Sequence, residues 1–136
     1  PSATCSLIII DINSIDMIRK ECRNNISEKF IVEFGQILQE TFRGADIFGN
    51  FGNDQFGVFL KGAASIPLLD MKCGMIGKKL TGYAQRELST DISYEIGCAA
   101  ADEESVDVVK MFGQSYKALE AAKSSEKKKH YIEKYK

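Results

Sequence analysis

The chain has 136 residues, 44% of them apolar and 27% charged, which is the size and composition of one domain with a single core. Its 18 basic and 19 acidic residues leave a net charge of −1, so composition speaks against a nucleic-acid or membrane-surface binder. No apolar run approaches the ~20 residues of a membrane span, and no basic and apolar leader opens the sequence, so no signal peptide is expected. Cys5, Cys22, Cys73 and Cys98 are dispersed without CxxC spacing, and His130 is the single histidine. That pattern argues against a zinc site or other metal cluster and for buried thiols in a reducing compartment.

Cys5–Ile10 is a short, continuous, β-branched apolar run ending at Asp11, which reads as a central strand covered on both faces. Asn13–Arg23 is a short helix candidate, with Ile15 and Ile18 inward and Asp16, Arg19, Lys20 and Arg23 outward. Ile26–Arg43 is a stronger one. Ile26, Phe30, Phe34, Ile37, Leu38 and Phe42 recur at spacings of three and four, with Ser27 as its cap. Gly44 stops it. Strands Asp46–Phe51 and Gln55–Leu60 then form a hairpin around Gly52-Asn53-Asp54, residue types that tolerate the positive φ angles of tight turns.

Gly62–Ser65 reads as a small-residue loop, and Ile66–Leu88 as a helix with Leu69, Cys73, Ile76, Leu80 and Leu88 along its apolar stripe. Gly74, Gly77 and Gly82 each cost such a helix ~1 kcal/mol against alanine, which predicts fraying or close packing. Ile92–Ala101 is a strand, Asp102–Ser105 a turn and cap, and Val106–Ser124 a helix with Val109, Phe112, Tyr116 and Leu119 on one face. His130–Tyr135 alternates in the manner of an edge strand. The order β-α-α-β-β-α-β-α-β implies an α+β fold. It would hold a ferredoxin-like or palm-type, mainly antiparallel sheet of about five strands flanked by helices.

Asp11 at a central strand's end and Asp54 at the tip of the next hairpin are two carboxylates that such a fold brings together. Asp54 alone reads better as a turn residue. Paired with Asp11, it matches the way palm-type folds hold Mg²⁺ against a triphosphate. Leu7-Ile-Ile-Ile-Asp11-Ile12-Asn13, Arg43-Gly-Ala-Asp46, Phe51-Gly52-Asn53-Asp54-Gln55-Phe56, Glu95-Ile-Gly-Cys-Ala99 and Ala122-Lys123 stand in one order along the chain. In that order the sequence resembles the GGDEF family, the diguanylate cyclase domains of bacterial signalling. The resemblance covers nearly the whole chain. The family's leading helix, with its Asp-x-Leu-Thr segment, has no counterpart in this sequence.

The resemblance implies a nucleotide-cyclase-like fold. It also implies a reaction in which two GTP-loaded domains meet face to face and form cyclic di-GMP with Mg²⁺. It makes Asp11, the Ile12 carbonyl and Asp54 metal ligands. Asn13, Glu28, Gly52, Lys123 and Lys127 become nucleotide contacts, and Arg43 and Asp46 an allosteric dinucleotide site. Several positions depart from the pattern. Gln55 replaces the second signature acid, Asn53 the second glycine, and Arg19 the asparagine that reads guanine. Asp16 stands where lysine is common. Losing one charge-stabilising group commonly costs ~10²–10³ in rate.

The expectation is therefore a degenerate domain without cyclase activity, with a vestigial Asp54, acting as a receptor for cyclic di-GMP. The alternatives are a weak cyclase or Mg²⁺-dependent nucleotide hydrolase, and a dimerisation module without ligand. The expected partners are cyclic di-GMP or GTP, a second copy of the chain, and further domains of a longer parent protein. The expected location is the cytoplasm, whether or not the parent is attached to a membrane.

Overall fold

A computed structural model describes residues 3–13, 24–42, 47–50, 54–101 and 106–135. Strand β1 (Ala3–Ile12) is followed by helix α1 (Asn24–Thr41), the hairpin β2 (Ile47–Asn50) and β3 (Gln55–Ala64), and helix α2 (Ile66–Tyr83). A π-helical turn (Ala84–Leu88), β4 (Tyr94–Ala101), α3 (Val108–Lys123) and β5 (His130–Lys134) complete the chain. The five strands form one sheet in the order β2-β3-β1-β4-β5. β1 is central and antiparallel to both neighbours, and only β4 and β5 run parallel among the described strands. The α+β fold with a mainly antiparallel sheet of about five strands expected from the sequence is thus present, with one parallel pair. The expected helix Asn13–Arg23 falls mostly on residues outside the described set.

Alternation along β1 divides the molecule into two layers. Ile8, Ile10 and Ile12 face α1 and α2, joining Phe30, Phe34, Leu38, Leu69, Ile76 and Leu80 in the larger core. Cys5 and Leu7 face α3 and pack with Ala99, Ala101 and Met111. Tight approach on the α3 side depends on Gly97 of β4. A Cβ there would collide with the backbone of Ser115 and Leu119. Ser115 Oγ donates to the carbonyls of Leu7 at 3.1 Å and Gly97 at 3.0 Å, fixing helix to sheet where they touch.

Some boundaries differ from expectation, each for a physical reason. Ser27 lies inside α1, which already begins at Asn24, so it is not the cap. β3 continues through the small residues Gly62 to Ala64, because its backbone keeps pairing with β1 as far as Ala3. Ser65 then caps α2, its hydroxyl accepting from Leu68 N at 3.2 Å. α2 does not fray at its glycines but widens into the π turn, closed by Ser89 at φ 53°. Close packing holds at Gly77, where the Tyr94 phenol occupies the place of a side chain.

β4 begins at Tyr94 rather than Ile92. The described cap of α3 is Asp107, whose Oδ1 accepts from Val109 N at 3.0 Å and Lys110 N at 3.2 Å; Asp102–Ser105 lies outside the described residues. Val109 is turned outward at 81% exposure, and the buried face is Met111, Ser115, Ala118, Leu119 and Ala122. Cys5, Cys73 and Cys98 are buried, and burial together with the nearby Asp70 charge pushes the Cys73 thiol up to about 12. No helix among the described residues is long and apolar enough to cross a membrane.

Candidate functional site

Antiparallel pairing places Gln55 of β3 and Glu95 of β4 directly opposite Asp11, one on each side. Residues opposed in this way share a face, so three polar side chains stand in a row on the α3 side of the sheet. Asp11 and Glu95 are both buried. The end of α3 delivers Lys123, whose Nζ lies 2.7 Å from Asp11 Oδ2. This hydrogen bond raises the Lys123 pKa above its ordinary value against the opposing effect of burial, with help from the charges of Asp11, Glu120 and Glu95.

Gln55 Nε2 donates to the same Asp11 oxygen at 3.4 Å. An ionised carboxylate can only accept, so Gln55 must present its NH₂ there. Its oxygen accepts from the Tyr116 hydroxyl at 2.7 Å. A chain of polar contacts therefore runs from α3 through β3 to β1 and back to α3. Next to it, Asn13 Nδ2 donates to Glu95 Oε1 at 2.7 Å and Ser93 Oγ at 3.1 Å. Asp54 is half-buried at the start of the hairpin's second strand. Its carbonyl accepts from Ile12 N at 2.8 Å, tying the hairpin to the end of β1.

The structure brings Asp11, Ile12, Asp54 and Lys123 to one end of the sheet. It places Asn13 there too, but its amide holds Glu95 and Ser93. Lys127 is not beside Lys123. α3 ends at Lys123, the chain turns at Ser125, and Lys127 lines a cleft with Tyr94 and Asp70 on the other side of the sheet. Glu28 is exposed on α1, the helix covering that other face. Gly52, Arg43 and Asp46 lie outside the described residues. Sequence reading missed Glu95 and Tyr116. A carboxylate inside an otherwise apolar strand, opposite a candidate ligand, was the signal available for Glu95.

This donor set does not suit Mg²⁺, which asks for carboxylate and other oxygen ligands in a near-octahedral shell. One oxygen of Asp11 is matched by an ammonium and an amide NH₂. The Gln55 carbonyl is taken by Tyr116. The remaining atom, Asp11 Oδ1, is buried without a hydrogen-bond partner. No group of three His, Cys, Asp or Glu side chains converges among the described residues.

A central β1 flanked by β3 and β4, with paired acids at its end and helices on both faces, defines a nucleotide-cyclase-like domain. Residues 2–129 match the family model described as diguanylate cyclase, GGDEF domain, and the chain belongs to that family. It is 37% identical over 57 residues to the probable diguanylate cyclase DgcC of Escherichia coli K12; the match covers 42% of this chain but 15% of that protein. The fold is similar to that of the active GGEEF domain of a diguanylate cyclase from Vibrio cholerae. There the TM-score is 0.79 at 17% identity, over 97% of this chain and 83% of the other. It is also similar to the GGDEF domain of DgcB from Caulobacter crescentus in complex with c-di-GMP. That TM-score is 0.76 at 13% identity, over 98% and 78% of the two chains.

Proposed function

We propose that this GGDEF domain has lost cyclase chemistry and serves as a receptor for cyclic di-GMP through Arg43 and Asp46, within a longer signalling protein. The observation that carries the first half is the 2.7 Å contact between Lys123 Nζ and Asp11 Oδ2. Lys123 is the residue the family would turn toward phosphate, and Asp11 the one it would give to metal. Here they neutralise each other, with Gln55 adding an NH₂ where a second signature acid would add negative charge.

The receptor half rests on the Arg-x-x-Asp register ahead of the hairpin, an arrangement in which a guanidinium fork and a carboxylate can grip opposite edges of guanine. The bound dinucleotide of the Caulobacter domain supports the same ligand class. From α2, Lys72 Nζ donates to the carbonyl of Thr41 at 2.8 Å, just ahead of Arg43. The family resemblance implies a second cation from this helix to complete the site, and Lys72 suits that place better than Lys78, which lines a groove with Tyr94.

Calorimetry tests the receptor. Cyclic di-GMP should give saturable heat at about 10 µM, abolished in Arg43→Ala, and absence of heat in the parent chain at that concentration overturns it. A weak cyclase is the second reading, favoured by the orphaned Asp11 Oδ1 and the neighbouring Asp54. Incubation with GTP and Mg²⁺ followed by product chromatography decides it: turnover that disappears in Asp54→Ala would replace the first reading.

A further inference from the structure

The Asp11 cluster lies on the α3 face of the sheet, and a cleft of about 830 Å³ lies on the other side. One wall is the first turns of α2, including Asp70 and Gly74. The opposite wall is the run from Lys127 into β5, and Tyr94 borders the space between them. A hollow of about 450 Å³ continues it along α2, past Lys78 to Gly82. The volume of the cleft falls in the range of about 300–1,000 Å³ typical of small-molecule sites.

Charge, ring surface and open backbone coincide there. Lys127, Lys128 and Lys129 line the cleft, and Lys78 lines its extension. Asp70 is the carboxylate among the described lining residues, and its Oδ1 is held in a hydrogen bond with His130 Nε2 at 2.7 Å. In a chain of net charge −1, this is a local concentration of positive potential. Tyr94 and Tyr131 supply aromatic surface, and Lys128 Nζ stands 5.4 Å from the Tyr131 ring centroid. Gly77 is explained by the Tyr94 phenol. A Cβ at Gly74 or Gly82 would meet nothing within 4 Å beyond its own helix, and both glycines border these hollows. Glycine disfavours a helix interior, and nothing within the described fold uses the space these two leave.

We propose that this cleft binds a nucleoside phosphate, with the Lys127–Lys129 run on the phosphates and Tyr94 and Tyr131 against the base. The separation of Lys127 from Lys123 is what makes it available here. The site is independent of the Arg43 and Asp46 reading, because it lies between α2 and β5 and uses neither residue.

The test is an NMR titration of the whole chain with ADP and, separately, with pyrophosphate. ADP should give saturable shifts centred on the amides of Gly74, Gly82 and Tyr131, with pyrophosphate perturbing the Lys127–Lys129 segment alone. The double variant Lys127→Ala, Lys129→Ala should weaken ADP binding about tenfold, since each lost ammonium removes a charge-assisted contact. Gly74→Leu should block it by filling the cleft. Lys117→Ala, a charge loss at an exposed position of α3, should leave it unchanged. Absence of saturable shifts up to about 5 mM ADP, shifts confined to the Asp11, Asp54 and Gln55 amides, or equal weakening by Lys117→Ala would each overturn the proposal. The cyclic di-GMP receptor stands or falls separately, on a different ligand and on Arg43→Ala.

Discussion

Lys123 carries an unusual share of the site's electrostatics. Its side chain is 32% exposed while that of Asp11 is 6% exposed, so the pair is strong on one side and screened on the other. Lys123→Met should destabilise the fold by about 1–2 kcal/mol in urea unfolding, less than a wholly buried pair, because solvent partly screens the ammonium. The sign with pH follows from the raised Lys123 pKa. Its contribution is fully present below lysine's ordinary 10.5 and is lost as pH rises through the folded value. Burial raises Tyr83 and Tyr94 above 10.0, and this also removes stability as pH climbs past that point. The diagnostic is therefore a comparison: the melting temperature should fall less steeply above pH 10.5 in Lys123→Met than in the parent. Parallel slopes would refute the pairing. At this scale Asp11 was readable from the apolar run it ends, whereas Lys123 was named only through the family resemblance, and nothing in the sequence paired the two. Lys127 entered only through the family resemblance, and since α3 stops at Lys123 it lies beyond the helix, lining the cleft on the other side of the sheet.

Glycines distinguish the elements that touch from those that do not. Gly97→Ala drives a methyl into α3 backbone, which cannot give as a side-chain end can, and should cost about 2–4 kcal/mol. Gly77→Ala meets only the movable phenol end of Tyr94 and should cost about 1 kcal/mol or less. Gly74→Ala meets nothing and should stabilise by up to about 1 kcal/mol, a rise of several degrees in Tm. Thermal unfolding of the three variants should preserve that order, and a stabilised Gly97→Ala would contradict the packing of α3 on β4. Periodicity announced α1, α2 and the central strand, because apolar spacing is a property of the burying face itself. It misjudged the buried face of α3, because the face that packs on β4 is built largely of the small residues Ser115, Ala118 and Ala122, which carry little apolar signal, and this turns Val109 outward. It ended β3 early because small residues lack a side-chain pattern while their backbones still pair.

Across the whole molecule, the two faces of one sheet are used differently. The α3 face closes a polar network upon itself, and the α2 face leaves a basic cleft open. Because that network is matched from within, the lack of a suitable cation position is a property of two side chains rather than of the fold. Replacing Gln55 with glutamate would add the missing acid beside Asp11. Replacing Lys123 with methionine would remove the ammonium that now matches Asp11 Oδ2. Neither change alone is sufficient. Gln55→Glu by itself gives Lys123 a second carboxylate to hold, and Lys123→Met by itself leaves Asp11 with the Gln55 amide on one oxygen and nothing on the other. The double variant Gln55→Glu, Lys123→Met should bind Tb³⁺ at about 10 µM, with luminescence sensitised by the adjoining Tyr116 ring. The parent should show no saturable signal below about 100 µM, a difference of at least tenfold. Added Mg²⁺ should compete the signal away in the double variant. Equal Tb³⁺ affinity in the two proteins would mean that Lys123 yields its place freely, and the internal neutralisation of Asp11 would no longer account for the proposed loss of cyclase chemistry.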